Sequence, residues 1–230
     1  MNNVNFIKGE GGLARVLPGK DHYAGMIFYS TTKPASWGAD DTREITSLKA
    51  AEDLGITSDN ATAVLKALHY HLKRFFAIYT YLNVSPKLWL TIADEPVAAH
   101  DFAEVETIQS FAGGEIRTLG IFLAEAFTTT LLNGIQTAVV AQDNKHKPLS
   151  AIVTFDESAV ADWTGVEDLR GQTAAKVSVS IGQDGGGQGA ALYDAGNLGF
   201  SLGDIGSVLG WATVKNVHEN IAWPAEFPVA

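Results

Sequence analysis

The 230-residue chain contains no cysteine, which removes disulfides, thiolate metal sites and a thiol nucleophile together and suits a reducing compartment. It is also short of positive charge, with 16 Lys and Arg against 26 Asp and Glu and a formal net charge of -10. A surface built for nucleic acid or anionic lipid needs a positive face to replace counterions, so neither partner is expected. No apolar run reaches the roughly 20 residues that span a bilayer. Met1 to Lys8 lacks the basic-then-apolar order of a signal peptide, which predicts a soluble protein. Missing too are a G-x-S-x-G nucleophile elbow and the Lys followed by Ser or Thr of a nucleoside-triphosphate loop.

What the chain has in quantity is apolar side chain: 46% of residues are hydrophobic and 18% charged, enough for one sizeable core. Asn2 to Lys8 alternates, with Val4 and Phe6 on one side and Asn3 and Asn5 on the other, the period of a strand with one apolar face. Gly9, Gly11, Gly12, Pro18 and Gly19 then break the pattern. Residues 1–22 thus predict an extended N-terminal strand arm with a glycine-rich loop, and residues 23–230 a single α/β domain. Ala24 to Tyr29 reads as a buried strand, followed by a loop through Pro34, Ser36 and Gly38. Leu48, Ala51 and Leu54 fit a short helix closed by Gly55. Ser58 or Asp59 is the expected cap of a longer helix, in which Val64, Leu65, Leu68, Leu72, Phe75, Phe76 and Tyr79 recur at intervals of three and four.

Apolar runs of strand length then alternate with helical patterns at a repeat of roughly 30 residues. The runs are Leu88 to Ala93, Ile116 to Leu123, Leu149 to Phe155 and Val177 to Ile181. Between and after them the sequence predicts a helix capped by Asp101 and ended by Gly113, another from Thr128 to Gln142, a helical turn over Val166 to Leu169, and a helix over Gly189 to Asp194. Strands that are apolar throughout and joined by helices belong in a mostly parallel sheet of βαβ units covered by helices.

In such sheets ligands sit beyond the carboxyl ends of the strands. Asp94 and Glu95 follow the first of the four runs, Glu125 the second, Asp156 and Glu157 the third, and Asp184 the fourth. A ring of these carboxylates could hold a magnesium ion, although acidic residues also commonly open loops and cap helices. Gly182 to Gly189 lies where a phosphate-binding turn would lie, and Gly185, Gly187 and Ala190 match a G-x-G-x-x-A spacing. That match follows the last strand instead of the first, and glycines in a row more often mark close-packed backbone. His69 and His71, two apart on a helix, point to opposite sides, while His22, His100, His146 and His218 form no metal or acid-base spacing. Trp37, Trp89, Trp163, Trp211 and Trp223 read as core and interface anchors. The expectation is therefore an assembling protein with no catalytic, cofactor or metal residue. The alternative is a nucleotide- or metal-binding enzyme of the doubly wound class.

Three stretches, taken in order and at their spacings, carry a resemblance. They are Gly11 to Arg15 with Leu17 to Gly25, then Phe111 to Gly120, then Val177 to Gly185 with Gly189 to Leu192. Over nearly its whole length the chain resembles a Bacteroidetes-type family of uncharacterised phage proteins, related to the sheath proteins of contractile tails. The motif positions are Gly12, Pro18, Gly19, Asp21, Gly113, Arg117, Gly182, Gln183, Asp184, Gly185, Gly189 and Trp223. The resemblance implies a structural subunit without a cofactor, polymerised with itself as stacked rings around an inner tail tube protein. It implies baseplate and tail-terminator proteins as further partners, or a tail or baseplate relative that does not polymerise. Assembly would take place in the host cytoplasm, and the product would belong to a virion tail or an injection device. Relatives link neighbours through arms that add a strand to an adjoining sheet, and here Val4, Phe6 and Ile7 would form that arm. The same alternation also describes an edge strand of the chain's own sheet. The family continues past Glu219 to Trp223 into a second arm, whereas this chain stops at Ala230, which implies a fragment or a shortened member.

Overall fold

A computed structural model of the chain describes residues 22–38, 41–82, 86–97, 99–158, 160, 169–183, 187–195 and 198–214. The expected arm with Val4, Phe6 and Ile7 lies outside these residues, as do Gly12, Pro18, Gly19, Asp21, Asp184, Gly185 and Trp223.

The first strand, β1 (Tyr23–Tyr29), is apolar on both sides and is buried from Ala24 onward. Successive side chains of a strand point to opposite faces. Met26 and Phe28 therefore enter one hydrophobic core, while Ile27 and Tyr29 enter a second. Around β1 the described residues build a six-stranded sheet in the order β2-β3-β1-β4-β5-β6, from β2 (Thr42–Ile45), β3 (Lys87–Ala93), β4 (Thr118–Ala126), β5 (Ser150–Asp156) and β6 (Val177–Val179). All neighbours are parallel except β2, which runs antiparallel to β3. The architecture is α/β with a mostly parallel, mixed sheet.

Helices cover both faces. On one side lie α1 (Leu48–Asp53), α2 (Ala63–Leu82) and α6 (Ile205–Val214), and the α2 stripe of Leu65, Leu68, Leu72, Phe75, Phe76 and Tyr79 is buried there with Ile205 and Leu209. On the other side α3 (Glu104–Phe111) and α4 (Thr129–Asn144) press Val105, Ile108, Ile135 and Val139 against Ile27, Leu119, Ile121 and Val153. The short α5 (Gln188–Ala190) widens into a π turn over Ala191–Ala195, which occupies the stretch expected as one helix. Among the described residues no helix is long and apolar enough to cross a membrane.

Several local expectations need correction. α2 does not start from Ser58 or Asp59, because the turn before it is made by Asn60, whose Oδ1 accepts the Thr62 N–H at 3.0 Å and whose amide donates to the Gly55 carbonyl. Asp101 accepts the Ala103 N–H at 3.0 Å, but α3 begins one residue further on, with Ala103 at its cap position and no side-chain cap. Of the turn expected over Val166 to Leu169 only Leu169 is described, as the start of a 3-10 turn over Leu169–Gly171. The strand expected from Val177 to Ile181 pairs only as far as Val179.

Two elements carry no expectation from the sequence. The strand β2 reads Thr-Arg-Glu-Ile, without alternation, and is held by β3 through a buried hydroxyl pair, Thr42 to Thr91, at 2.8 Å. The helix α6 contains Gly206 and Gly210 among Val, Ile and Thr, all weak helix formers. It forms because packing offsets propensity: a methyl group on Gly206 would stand 2.4 Å from the backbone oxygen of His71, so only glycine lets α6 lie this close to α2.

Candidate functional site

β1 leads through α2 to β3 on one side of it, and β3 leads through α3 to β4 on the other. The carboxyl ends of β3, β1 and β4 therefore converge where the strand order reverses, the place where open parallel sheets hold ligands. Three segments meet there: Tyr29 closes β1, Glu95 and His100 lie in the connection after β3, and Glu125 lies near the end of β4.

His100 is the centre of this group. Its Nε2 stands 2.6 Å from Glu125 Oε1 and 3.7 Å from Glu95 Oε1, and its side chain is only 2% exposed. The imidazole is held on two sides, by the edge-on Tyr29 ring at 4.3 Å and by the stacked Phe102 ring at 5.3 Å. Phe102 adopts a left-handed backbone with φ of 56°, which costs a bulky residue about 1–3 kcal/mol. Packing holds it there, since its ring occupies the space over Gly134 of α4, where a methyl group would meet Phe102 Cε2 at 2.8 Å. The Tyr29 hydroxyl donates to Glu104 Oε2 at 3.0 Å. Burial above all, then the negative charges of Glu104, Asp101 and Glu95, hold the Tyr29 proton far more tightly than usual. Burial also raises the pKa of the Glu95 carboxyl, which His100 opposes and the neighbouring Glu125 reinforces.

Among the described residues the other strand-end carboxylates, Asp94, Asp156 and Glu157, do not join this group, so the expected ring is divided, and Asp184 lies outside the described residues. Asp94 pairs with Lys33 at 3.1 Å. Asp156 Oδ1 accepts the backbone N–H groups of Ser158 and Ser201, both at 2.9 Å, and the Glu157 carboxylate accepts the Gly182 N–H at 3.2 and 3.3 Å. At Gly182 the loop that could have met a phosphate thus meets the protein's own carboxylate. Gly182 has φ of 87°, and Gly203 packs so closely that a methyl group on it would stand 3.0 Å from the Ser180 oxygen. Beside it Gln183 donates to Ser201 Oγ at 2.6 Å.

The remaining described motif positions have structural roles. Gly113 has φ of 63° at the end of α3. Arg117 Nη1 donates to the carbonyls of Gly114, Ile116 and Pro148 at 3.0, 3.2 and 3.3 Å, tying together the loops that enter β4 and β5. Gly189 lies within α5. The expected divergence of His69 and His71 holds: the first meets Glu52 at 3.1 Å and the second the Tyr193 hydroxyl at 2.8 Å. Trp37, Trp89 and Trp211 are buried, while Trp163 and Trp223 lie outside the described residues. The residue that sequence reasoning missed is His100. Its only local signal is its place five residues beyond Glu95 in the loop after a strand, and Glu125 reaches it only through the strand order.

A second feature is the sheet's outer edges, β2 and β6, neither of which has an outer strand partner among the described residues. β2 carries Arg43 and Glu44, charges that discourage strand addition. From Val177 to Ile181 the β6 side has no charge and no proline, and Ile181 is 55% exposed. Ala151 N–H donates to the Lys176 carbonyl and Ser180 N–H to the Val153 carbonyl. By the alternation of a parallel ladder, the N–H and carbonyl of Val179 then face away from β5.

No family model matches the chain, so the particular phage family named on sequence grounds gains no support there, and no curated protein matches it. Among solved structures the chain is similar to the helical sheath of the anti-feeding prophage in its contracted state, determined by cryo-electron microscopy, with a TM-score of 0.43 and 15% identity. The similarity covers 86% of this chain and 47% of that one, so this chain spans about half the length of the sheath protein it matches.

Proposed function

We propose that this chain is a self-assembling structural subunit of the contractile-sheath kind, polymerising around an inner tube by adding a strand from one copy to the sheet of the next. The observation that carries the reading is the β6 edge, which has no outer strand partner among the described residues, is uncharged and turns the Val179 backbone groups outward. Such an edge is a template for an extended apolar segment, whose backbone supplies hydrogen bonds and whose alternate side chains fix the register. Val4 and Phe6 have the required alternation, and Ile7 beside them adds an apolar side chain on the other face. The glycine-rich stretches then serve turns and close packing, the role that Gly113, Gly182 and Arg117 have in the fold.

Negative-stain electron microscopy of the full chain beside Val179→Pro and a chain lacking residues 1–8 tests this. Proline at Val179 removes an N–H that faces outward and leaves the ladder to β5 intact, a position where an edge strand tolerates it. Tubes or rings should form from the unmodified chain and disappear in both variants, with the melting temperature of Val179→Pro within a few degrees of the original. Uniform single particles from the unmodified chain at every salt concentration would remove the polymer reading. Polymers that survive Val179→Pro would place the contact at another surface.

A further inference from the structure

We infer that Glu95, His100 and Glu125 form a binding site for a divalent first-row transition-metal ion of the zinc type. Each residue offers one donor atom, and the three atoms lie within 4.8 Å of one another. Metal bonds of about 2.0–2.2 Å to imidazole nitrogen and carboxylate oxygen put the donors of a tetrahedral site roughly 3.4 Å apart. The separation of 3.7 Å between His100 and Glu95 is already near that distance. The 2.6 Å contact between His100 and Glu125 has to open by less than an ångström, because the hydrogen now between Nε2 and Oε1 stands where the ion would go. On binding, Nε2 presents its lone pair to the ion and the imidazole carries its proton on Nδ1. The two carboxylates, which repel each other without a cation, supply the compensating charge.

The donor set decides the class of ion. Magnesium and calcium prefer all-oxygen shells, whereas one imidazole with two carboxylates suits zinc and its first-row neighbours. Rigidity favours it too, since a buried imidazole wedged between Tyr29 and Phe102 is already oriented, and Glu95 and Glu125 reach it from the solvent side, 36% and 44% exposed. The site joins the loop after β3 to the end of β4, two segments the sheet order alone brings together, and a bound ion would brace that junction whether or not the chain polymerises.

The test is calorimetric titration of the chelator-treated full chain with zinc chloride at neutral pH, paired with thermal melting. The expected result is a single zinc ion per chain and a raised melting temperature, because a ligand that binds only the native state stabilises it. Glu95→Gln and Glu125→Gln keep the shape and should each weaken binding by more than the roughly 10- to 100-fold that losing a supporting partner costs. Their melting in chelator should be no lower than that of the unmodified chain, which separates a lost ligand from a lost fold. Magnesium should produce no shift. His69→Gln is the control, since His69 and Glu52 form the other described histidine–carboxylate pair. Absence of stoichiometric zinc binding, binding undiminished in a Glu95→Gln and Glu125→Gln double variant, or binding abolished by His69→Gln would each overturn the assignment.

Discussion

Glu157 shows how one side chain can fill the place a ligand would take. It lies half-buried between the end of β5 and the glycine loop, and its carboxylate receives the Gly182 N–H. Burial is the largest influence on its carboxyl and raises the pKa, the Gly182 hydrogen bond opposes this, and Asp156 adds to the rise. A carboxyl whose folded pKa exceeds its unfolded value of about 4.3 binds its proton more tightly in the fold. Its contribution favours folding below that value and is lost as pH rises through the raised folded pKa. Glu157→Gln stays neutral and still accepts the N–H. Its urea midpoint, compared with that of the unmodified chain, should therefore gain as pH rises from about 4 towards neutrality. Parallel midpoint curves would mean that the burial of Glu157 is not felt. His100 is the opposite case, a residue whose meaning is absent from its neighbours in sequence and lies wholly in what the fold brings to its Nε2.

Between elements, the contact of α6 with α2 rests on two glycines four residues apart, a spacing that puts both on one helix face. A methyl group on Gly206 would meet the oxygen, Cα and carbonyl carbon of His71 at 2.4, 2.9 and 3.0 Å, all backbone atoms that cannot rotate away. At Gly210 the nearest atom would be Ile78 Cδ1 at 3.1 Å. Gly206→Ala should destabilise the protein by about 1–3 kcal/mol or more through overpacking, even though alanine is the better helix former by roughly 1 kcal/mol. Gly171→Ala, where an added methyl would meet nothing within 4 Å, should change stability by no more than about 0.5 kcal/mol. Chemical denaturation of both variants decides, and an unchanged midpoint for Gly206→Ala would mean that α6 does not press on α2. No expectation attached to the glycine pair in the sequence, because low helix propensity hid the helix that carries it. Asp204 helps to start that helix, accepting from the Ser207 N–H at 3.2 Å and pairing with Arg74 of α2 at 2.9 Å.

At the scale of the whole molecule, a formal net charge of -10 on each copy opposes the stacking of copies. Screening shortens the reach of that repulsion from about 30 Å at 0.01 M salt to about 3 Å at 1 M. Sedimentation of the full chain should show larger assemblies as salt rises, with Val179→Pro remaining small throughout. Indifference to ionic strength would mean that surface charge does not control assembly.

By itself the sequence determined what is local. The apolar strands β1, β3, β4 and β5, the α2 stripe, the glycine end of α3 and the Thr128 cap of α4, whose side chain accepts the Leu131 N–H, are all written in periods and punctuation a few residues long. The α/β class followed from their alternation. Only the tertiary structure decided the antiparallel β2, the helix α6, the division of the strand-end carboxylates and the meeting of Glu95, His100 and Glu125. These depend on which strand lies beside which. That order comes from pairing and packing between residues far apart in the chain, and no local spacing encodes it.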